Sequence, residues 1–376
     1  MITSPLPVPE GGMLAFSAVC RLIAQHVRPC AAETLALGEA AGLVLAAPVI
    51  AKADMPAYAM ALRDGYAVMS ERLIGVSPLS PLPLDAAAPF VTAGQRVPDG
   101  FDAILPREEV TESGDALSEA TSGGHILHRG AQIRQGEVLV DAGTRLTGAT
   151  MAALRLGDTR SVMVRRPRLA ILALGEVNGL LAEACRDVLG GLSPDIRCTT
   201  TSGALPALQS TLQVVNPDAV ITIGGLGAGS DDVARAALAS AGIVLAAEMA
   251  VTPGRRAALA MCGQVPVLAL PGAPEAVMAL TMTLGRLMIA CLSGERRGSA
   301  PSPRRLKRKI AGPAGLTRMV FVRAEANGIM PLGSERVSLK GLAEASGIVH
   351  VSPQSEGFAE GSEVAILDLD HWPDCE

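Results

Sequence analysis

Apolar residues Leu14, Val19, Leu22, Ile23 and Val27 recur at helical spacing, which predicts an amphipathic helix over 12–28. A second helix is expected over 33–46, stopped before Pro48. From 48 to about 142 the apolar runs shorten and alternate with Pro, Gly, Asp and Ser, as in SPLSPLPLD and ESGDALSEATSGG. That texture predicts a β-rich region with many turns. Thr147 is placed to cap a helix over 148–156, with Gly157 as its stop. Beyond Pro167 strand and helix patterns alternate. Strand 168–174 leads to a helix to about 189, the polar stretch CTTTSG at 198–203 and another helix. Strand DAVITIG then precedes a helix over 232–241 and a strand over 243–247; VPVLALPG closes the sheet before a helix over 275–292.

Alternation of this kind implies a doubly wound, mostly parallel α/β sheet, with ligands at the carboxyl ends of its strands. There the loops at 175–176, 224–232 and 271–274 would fall. SGERRGSAPSPRR, 293–305, reads as a linker, and the short strands after it suggest a small β-barrel-like domain. The expected class is therefore α/β plus β. A helical N-terminal segment, 1–47 with 143–165, holds an inserted β-rich domain, 48–142; the α/β domain is 166–292 and the C-terminal β domain 305–376.

Composition narrows the functions. At 376 residues the chain exceeds a single core, and 49% apolar with 18% charged residues excludes disorder as its main state. A formal charge of −5 and only eight aromatic residues give no platform for nucleic acid. No secretory signal is expected from MITSPLPVPEGG, which lacks both a basic residue and an apolar core. No apolar run reaches spanning length, since LTMTLGRLMIACL is short and split by Arg286, so no membrane partner is expected. Seven scattered cysteines without a CxxC pair read as reduced thiols in a cytoplasm, with no zinc framework. The basic run RRLKRK, 304–309, reads as a solvated domain edge.

Candidate chemistry centres on DAVITIGGLGAGSDD, 218–232, where an apolar strand breaks into Gly224, Gly225, Gly227 and Gly229 before a helix. Strand, glycine turn and helix N-terminus make an anion site, because backbone N–H groups and the helix dipole face the ligand. Asp231 and Asp232 at the same place call for a divalent cation. An ordinary strand-to-helix connection with spare glycines has the same outline.

Further segments flank this loop: AYAMALRDGYAV (57–68), TAGQRVPDGFDAILPREEV (92–110), RGAQIRQGEVLVDAGTRLT (129–147), RRPRLAILALGE (165–176), TPGRR (252–256) and LPGAP (270–274). In this order they resemble the molybdopterin molybdenumtransferase family (MoeA and the gephyrin E-domain), with its DGYA, TGAP, GEDI, TGDEL, GGVSVGDYD, KPGKP and LPGNP segments. The resemblance spans roughly the whole chain. It implies insertion of molybdate into adenylylated molybdopterin with release of AMP, in a cytoplasmic homodimer. A molybdoenzyme or another cofactor-biosynthesis protein would be a further partner.

Carried over residue by residue, the resemblance makes Asp64, Asp232 and Arg255 catalytic. Arg63, Thr92, Gly224, Gly225, Gly227, Gly229, Ser230, Pro253, Gly254, Pro271 and Gly272 would bind substrate. Asp64, Asp231 and Asp232 would hold Mg²⁺. Several family positions are altered. Gln132 replaces an acid, Val177 replaces the TGDEL glutamate, Ser230 replaces the first acid of the glycine loop and Gly227 its serine. Thr252 and Arg255 replace lysines, Arg256 a proline, Ala273 an asparagine and Ala93 a threonine. Three readings stay open: an active transferase, a non-catalytic molybdopterin or cofactor carrier, and a dinucleotide site with Glu248 as the ribose-binding acid.

Overall fold

Residues 168–174, RLAIL followed by Ala and Leu, alternate between two buried faces: Leu169, Ile171 and Ala173 face one core, Ala170, Leu172 and Leu174 another. A strand buried on both sides belongs in the interior of a helix-covered sheet. The computed structural model, which describes residues 12–85, 88–192, 194–226, 233–296, 303–312 and 314–368, places it there. The strand order is Asp195–Thr201, Arg168–Leu174, Ala219–Ile223, Val265–Leu270, Ala258–Cys262, Ile243–Ala246. The first four strands are parallel, and Ala258–Cys262 runs antiparallel to both of its neighbours, Val265–Leu270 and Ile243–Ala246. Helices Phe16–His26, Gly179–Gly190 and Pro274–Ser293 pack on one face; Ala204–Ser210 and Val233–Ala241 pack on the other. The mostly parallel, doubly wound sheet is present.

Several expectations are corrected. Residues 33–46 are not a helix: Ala32–Ala36 and Val44–Leu45 are strands that both pair with Ser161–Arg165. The Ala, Leu and Glu content favours helix, but Gly42 at φ 75° turns the chain and Leu43, Val44 and Leu45 are buried by tertiary packing. The polar stretch at 198–203 largely belongs to the edge strand Asp195–Thr201, where a half-exposed position suits threonines. VPVLALPG does not close the sheet. Its strand Val265–Leu270 lies inside, and the unforeseen strand Ala258–Cys262 follows it outward. Pro274–Ser293 is one 20-residue helix, with a π turn at Thr281–Gly285, and is long and apolar enough to cross a membrane. With 83% of its most apolar window buried, it is the core helix of the sheet.

The C-terminal strands do not close into a barrel among the described residues. They form an open sheet in the order Leu14–Ala15, Met249–Thr252, Thr317–Glu325, Gly347–Val351, Ile366–Asp368, with Gly328–Gly333 pairing alongside Thr317–Glu325. Met319 and Phe321 enter the main core, whereas Val320 and Val322 pack with Leu306, Ile310, Ile329 and Val349 in a smaller one. A sheet buried on both faces has no enclosed lumen to build. It extends the α/β unit instead.

By contacts the chain forms two compact units: Pro48–Asp141 with Thr150–Arg160, and the described residues of Met1–Ala47, Ala142–Ala149 and Ser161–Glu376. In the first, Gly65–Val68 is flanked antiparallel by Phe90–Val91 and Ala103–Pro106. A side chain at Gly65 would meet the Leu105 carbonyl oxygen at 2.1 Å, so only glycine fits this pairing. Ala67 and Ile104 face one small core, Val68, Ala103 and Leu105 the other, and short two-stranded ribbons complete the unit. Helix Gly148–Leu156 forms as expected.

Candidate functional site

In the α/β unit the parallel strands ending at Leu174, Ile223 and Leu270 deliver three loops to one edge of the sheet. Gly224 N–H donates to the Leu270 carbonyl at 2.9 Å, drawing the glycine loop onto the strand before Pro271 and Gly272. Gly224 and Gly225 sit at φ 92° and 68°, and the Gly225 carbonyl accepts from Ala234 N–H at 3.1 Å, in the first turn of helix Val233–Ala241. This is backbone geometry that ordinary side chains would strain. Gly227, Gly229, Ser230, Asp231 and Asp232 lie outside the described residues.

The loop after Leu174 supplies a residue that the motifs did not single out. Asn178 stands at the N-cap position of helix Gly179–Gly190, yet its side chain does not cap it. Its amide nitrogen donates instead to the Leu174 carbonyl. Its carboxamide lies between the glycines of the other two loops: a Cβ on Gly224 would come within 2.3 Å of Nδ2, and one on Gly272 within 2.8 Å of Oδ1. Asparagine is a preferred helix cap, so a cap residue turned elsewhere is the signal that would have found it. Glu176 and Val177, in the same 3₁₀ turn Glu176–Asn178, are exposed, Val177 to 89%.

The TPGRR loop joins this edge through Arg256, whose Nη1 donates to the Leu226 carbonyl at 3.4 Å. Gly254, at φ 112°, leaves room for Leu280: a Cβ there would lie 2.5 Å from Leu280 Cδ1. Pro253 follows a cis peptide bond, and Thr252 Oγ1 donates to Glu335. Arg255 is exposed, with Nε 3.8 Å from Glu248, whose other oxygen is 4.0 Å from Arg235. Glu248 is flanked loosely by two arginines, which compete with a ribose for the carboxylate that such recognition uses. That counts against the dinucleotide reading.

Asp64, Arg63 and Thr92 belong to the other unit. Asp64 Oδ1 accepts from Ala93 N–H at 2.7 Å, and Thr92 N–H donates to the Gln95 side chain at 3.0 Å, so the three-residue neighbourhood is one turn braced by polar side chains. Arg63 pairs with Glu108. Gln132 lies in a turn where its N–H donates to Met55 O at 2.9 Å. An acid absent from the motif stands beside this turn. Asp54 accepts from Gln135 N–H at 2.8 Å and pairs with Arg129. The backbone bond first, then Arg129, hold its carboxyl below the ordinary range. Among the described residues no group of three metal-ligating side chains occurs.

Two other chemistries lose ground. Burial pushes the Cys30 thiol up to about 11 and Cys185 up to about 12, so neither provides a thiolate near neutral pH. A cavity of about 380 Å³, lined by Ala67, Val68, Arg72, Leu73, Leu84 and Phe101 among others, holds none of the candidate residues.

An open α/β sheet with glycine loops gathered at the carboxyl ends of its parallel strands has the outline shared by folds that bind anionic small molecules there. The comparisons say which kind. Residues 14–156 match the MoeA N-terminal region (domain I and II), and 196–290 match a probable molybdopterin binding domain. Molybdopterin molybdenumtransferase 2 of Mycobacterium tuberculosis is 26% identical, over 93% of this chain and 98% of its own length. Molybdopterin molybdenumtransferase of Haemophilus influenzae is 25% identical, over 75% of this chain and 78% of its own. A crystal structure of a molybdopterin biosynthesis MoeA protein from Pyrococcus horikosii shares the fold, with TM-score 0.77 and 22% identity over 96% of this chain and all of that one. The chain belongs to the molybdopterin molybdenumtransferase (MoeA) family.

Proposed function

We propose that the chain acts in molybdenum cofactor biosynthesis by inserting molybdate into adenylylated molybdopterin, with release of AMP. The observation that carries this is the convergence of Gly224, Gly272 and Asn178 at the sheet edge, in a chain of this family. Backbone amides of the glycine loop bind phosphate oxygens, and the Pro271-Gly272 turn walls the pterin. Arg255, exposed on its loop, attracts molybdate; its planar fork matches an oxyanion. Asp64, Asp231 and Asp232 are the groups that would hold Mg²⁺, which supplies charge neutralisation at the phosphates. Among the described residues Asp64 belongs to no group of three metal-ligating side chains, so the anion-binding role rests on the chain's own amides and arginines. The proposal includes a cytoplasmic homodimer that passes its product to a molybdoenzyme or another biosynthetic protein.

Specific features favour a second reading, a molybdopterin carrier without turnover. Gln132 carries no charge, Val177 is an exposed apolar residue where the family has an acid, and Arg255 faces Glu248. Incubation of the purified chain with adenylylated molybdopterin and molybdate separates the two. Release of AMP with molybdenum retained on the pterin supports the transferase. Tight pterin binding without AMP release supports the carrier. Absence of both removes the site assignment.

A further inference from the structure

Asn178 carries an inference beyond the family assignment, one that rests on the pterin-binding reading of this site. Three observations meet at its carboxamide. It forgoes capping its own helix. Its amino group is committed to the Leu174 carbonyl, which can only accept, and this fixes which end of the carboxamide is oxygen. Its oxygen projects over Gly272, where a Cβ would stand 2.8 Å away, and finds no donor among the described residues, while the side chain remains half-exposed. The edge of the sheet therefore offers one oriented acceptor beside a loop of glycine amides.

An acceptor at this point discriminates between the two ends of a ligand. Ionised phosphate oxygens cannot donate a hydrogen bond and are repelled by a carbonyl oxygen. The amino-pyrimidinone edge of a pterin carries N–H donors and is matched by it. We propose that Asn178 is a specificity-determining residue: its Oδ1 accepts from the exocyclic amino group of the pterin, orienting the ring along the sheet edge and the phosphate toward the glycine loop.

The test uses the full chain and three probes: molybdopterin, pterin, and lumazine, in which a carbonyl oxygen at C2 replaces the exocyclic amino group of pterin. Wild type should bind molybdopterin, and should bind pterin about three- to tenfold more tightly than lumazine, the worth of one hydrogen bond between neutral groups. In Asn178→Leu, of similar volume, the pterin-to-lumazine ratio should fall close to unity. Asn178→Ala should give the same ratio and guards against misfolding of the leucine variant; thermal unfolding of both checks that they fold. A ratio unchanged in folded variants overturns the proposal, as does wild type that binds molybdopterin yet does not distinguish the two pteridines. Equal weakening of pterin and lumazine, with their ratio kept, assigns Asn178 to loop spacing alone and also overturns it. Failure of wild type to bind molybdopterin removes the underlying functional reading as well.

Discussion

The sheet edge and the acid-bearing turns use polar groups in opposite ways. At the edge, glycines at positive φ and an asparagine oxygen with no donor among the described residues leave hydrogen-bonding capacity available. In the turns of the 48–141 unit, the carboxylates are occupied by their own chain: Asp64 by Ala93 N–H, Asp54 by Gln135 N–H and Arg129. The difference teaches that a binding surface can be read from backbone geometry, whereas an acid in a motif must be checked for what already holds it. An acid bracing a turn and an acid awaiting a metal look alike in sequence.

The largest break in this comparison should come from Gly224→Ala. The new Cβ would meet Asn178 Nδ2 at 2.3 Å and hold a backbone at φ 92°, which L-residues resist. Molybdopterin affinity should fall about a hundredfold by titration, the scale of 1–3 kcal/mol of backbone strain plus the clash. Adding Asn178→Ala should recover the clash but not the strain; unchanged affinity in the single mutant would exclude the glycine cradle from binding. Next comes Asp64→Asn, which preserves the acceptor for Ala93 N–H while removing charge. If the acid also serves the chemistry, AMP release should drop about a hundredfold with pterin affinity retained. Full activity would confine Asp64 to bracing its turn.

A smaller effect is expected from Glu248→Gln. Arg255 is 60% exposed and only loosely paired, so freeing it should lower the KM for molybdate about two- to fivefold at low salt, the benefit shrinking as salt is raised. No change would show that molybdate does not meet Arg255. The smallest effect sharpens the background rather than the site. His350, half-buried against Phe16 with its ring centroid 5.6 Å away, has its pKa lowered by desolvation. The folded state thus resists the proton that the unfolded chain accepts near pH 6.5, so stability should fall as pH drops through about 6.5 and level off above it. In His350→Phe this slope should disappear from denaturant melts across pH 5 to 8; a persistent slope would place it on other groups.

Much of the architecture was legible because period-2 and period-3.6 patterns were strong where both faces are buried. Strand Arg168–Leu174 and helix Gly148–Leu156 have the expected bounds. The misses share a physical cause, tertiary pairing that outweighs local preference. Ala32–Ala36 has the composition of a helix but pairs with Ser161–Arg165, and Asp195–Thr201 has the composition of a loop but lies on a polar sheet edge. The open C-terminal sheet was hidden for another reason: its neighbours Leu14–Ala15 and Met249–Thr252 come from distant sequence. At the site, glycine positions were readable from motifs, but Asn178 and Asp54 were not. Each acts through contacts with separate segments, which spacing along the chain does not report.

The strand Thr317–Glu325 has a consequence for how the chain is made. Met249–Thr252 pairs with Leu14–Ala15 on one side and with Thr317–Glu325 on the other, so an early segment and a late one share a single ladder. During synthesis the middle strand acquires its second partner only after residue 317 has left the ribosome, and until then an unpaired edge and the core surface later covered by Met319 and Phe321 face the solvent. The nascent chain therefore passes through a long interval of adhesive vulnerability. Premature termination within the linker would leave it there permanently, yielding a product prone to self-association even though every loop of the candidate site had already been translated.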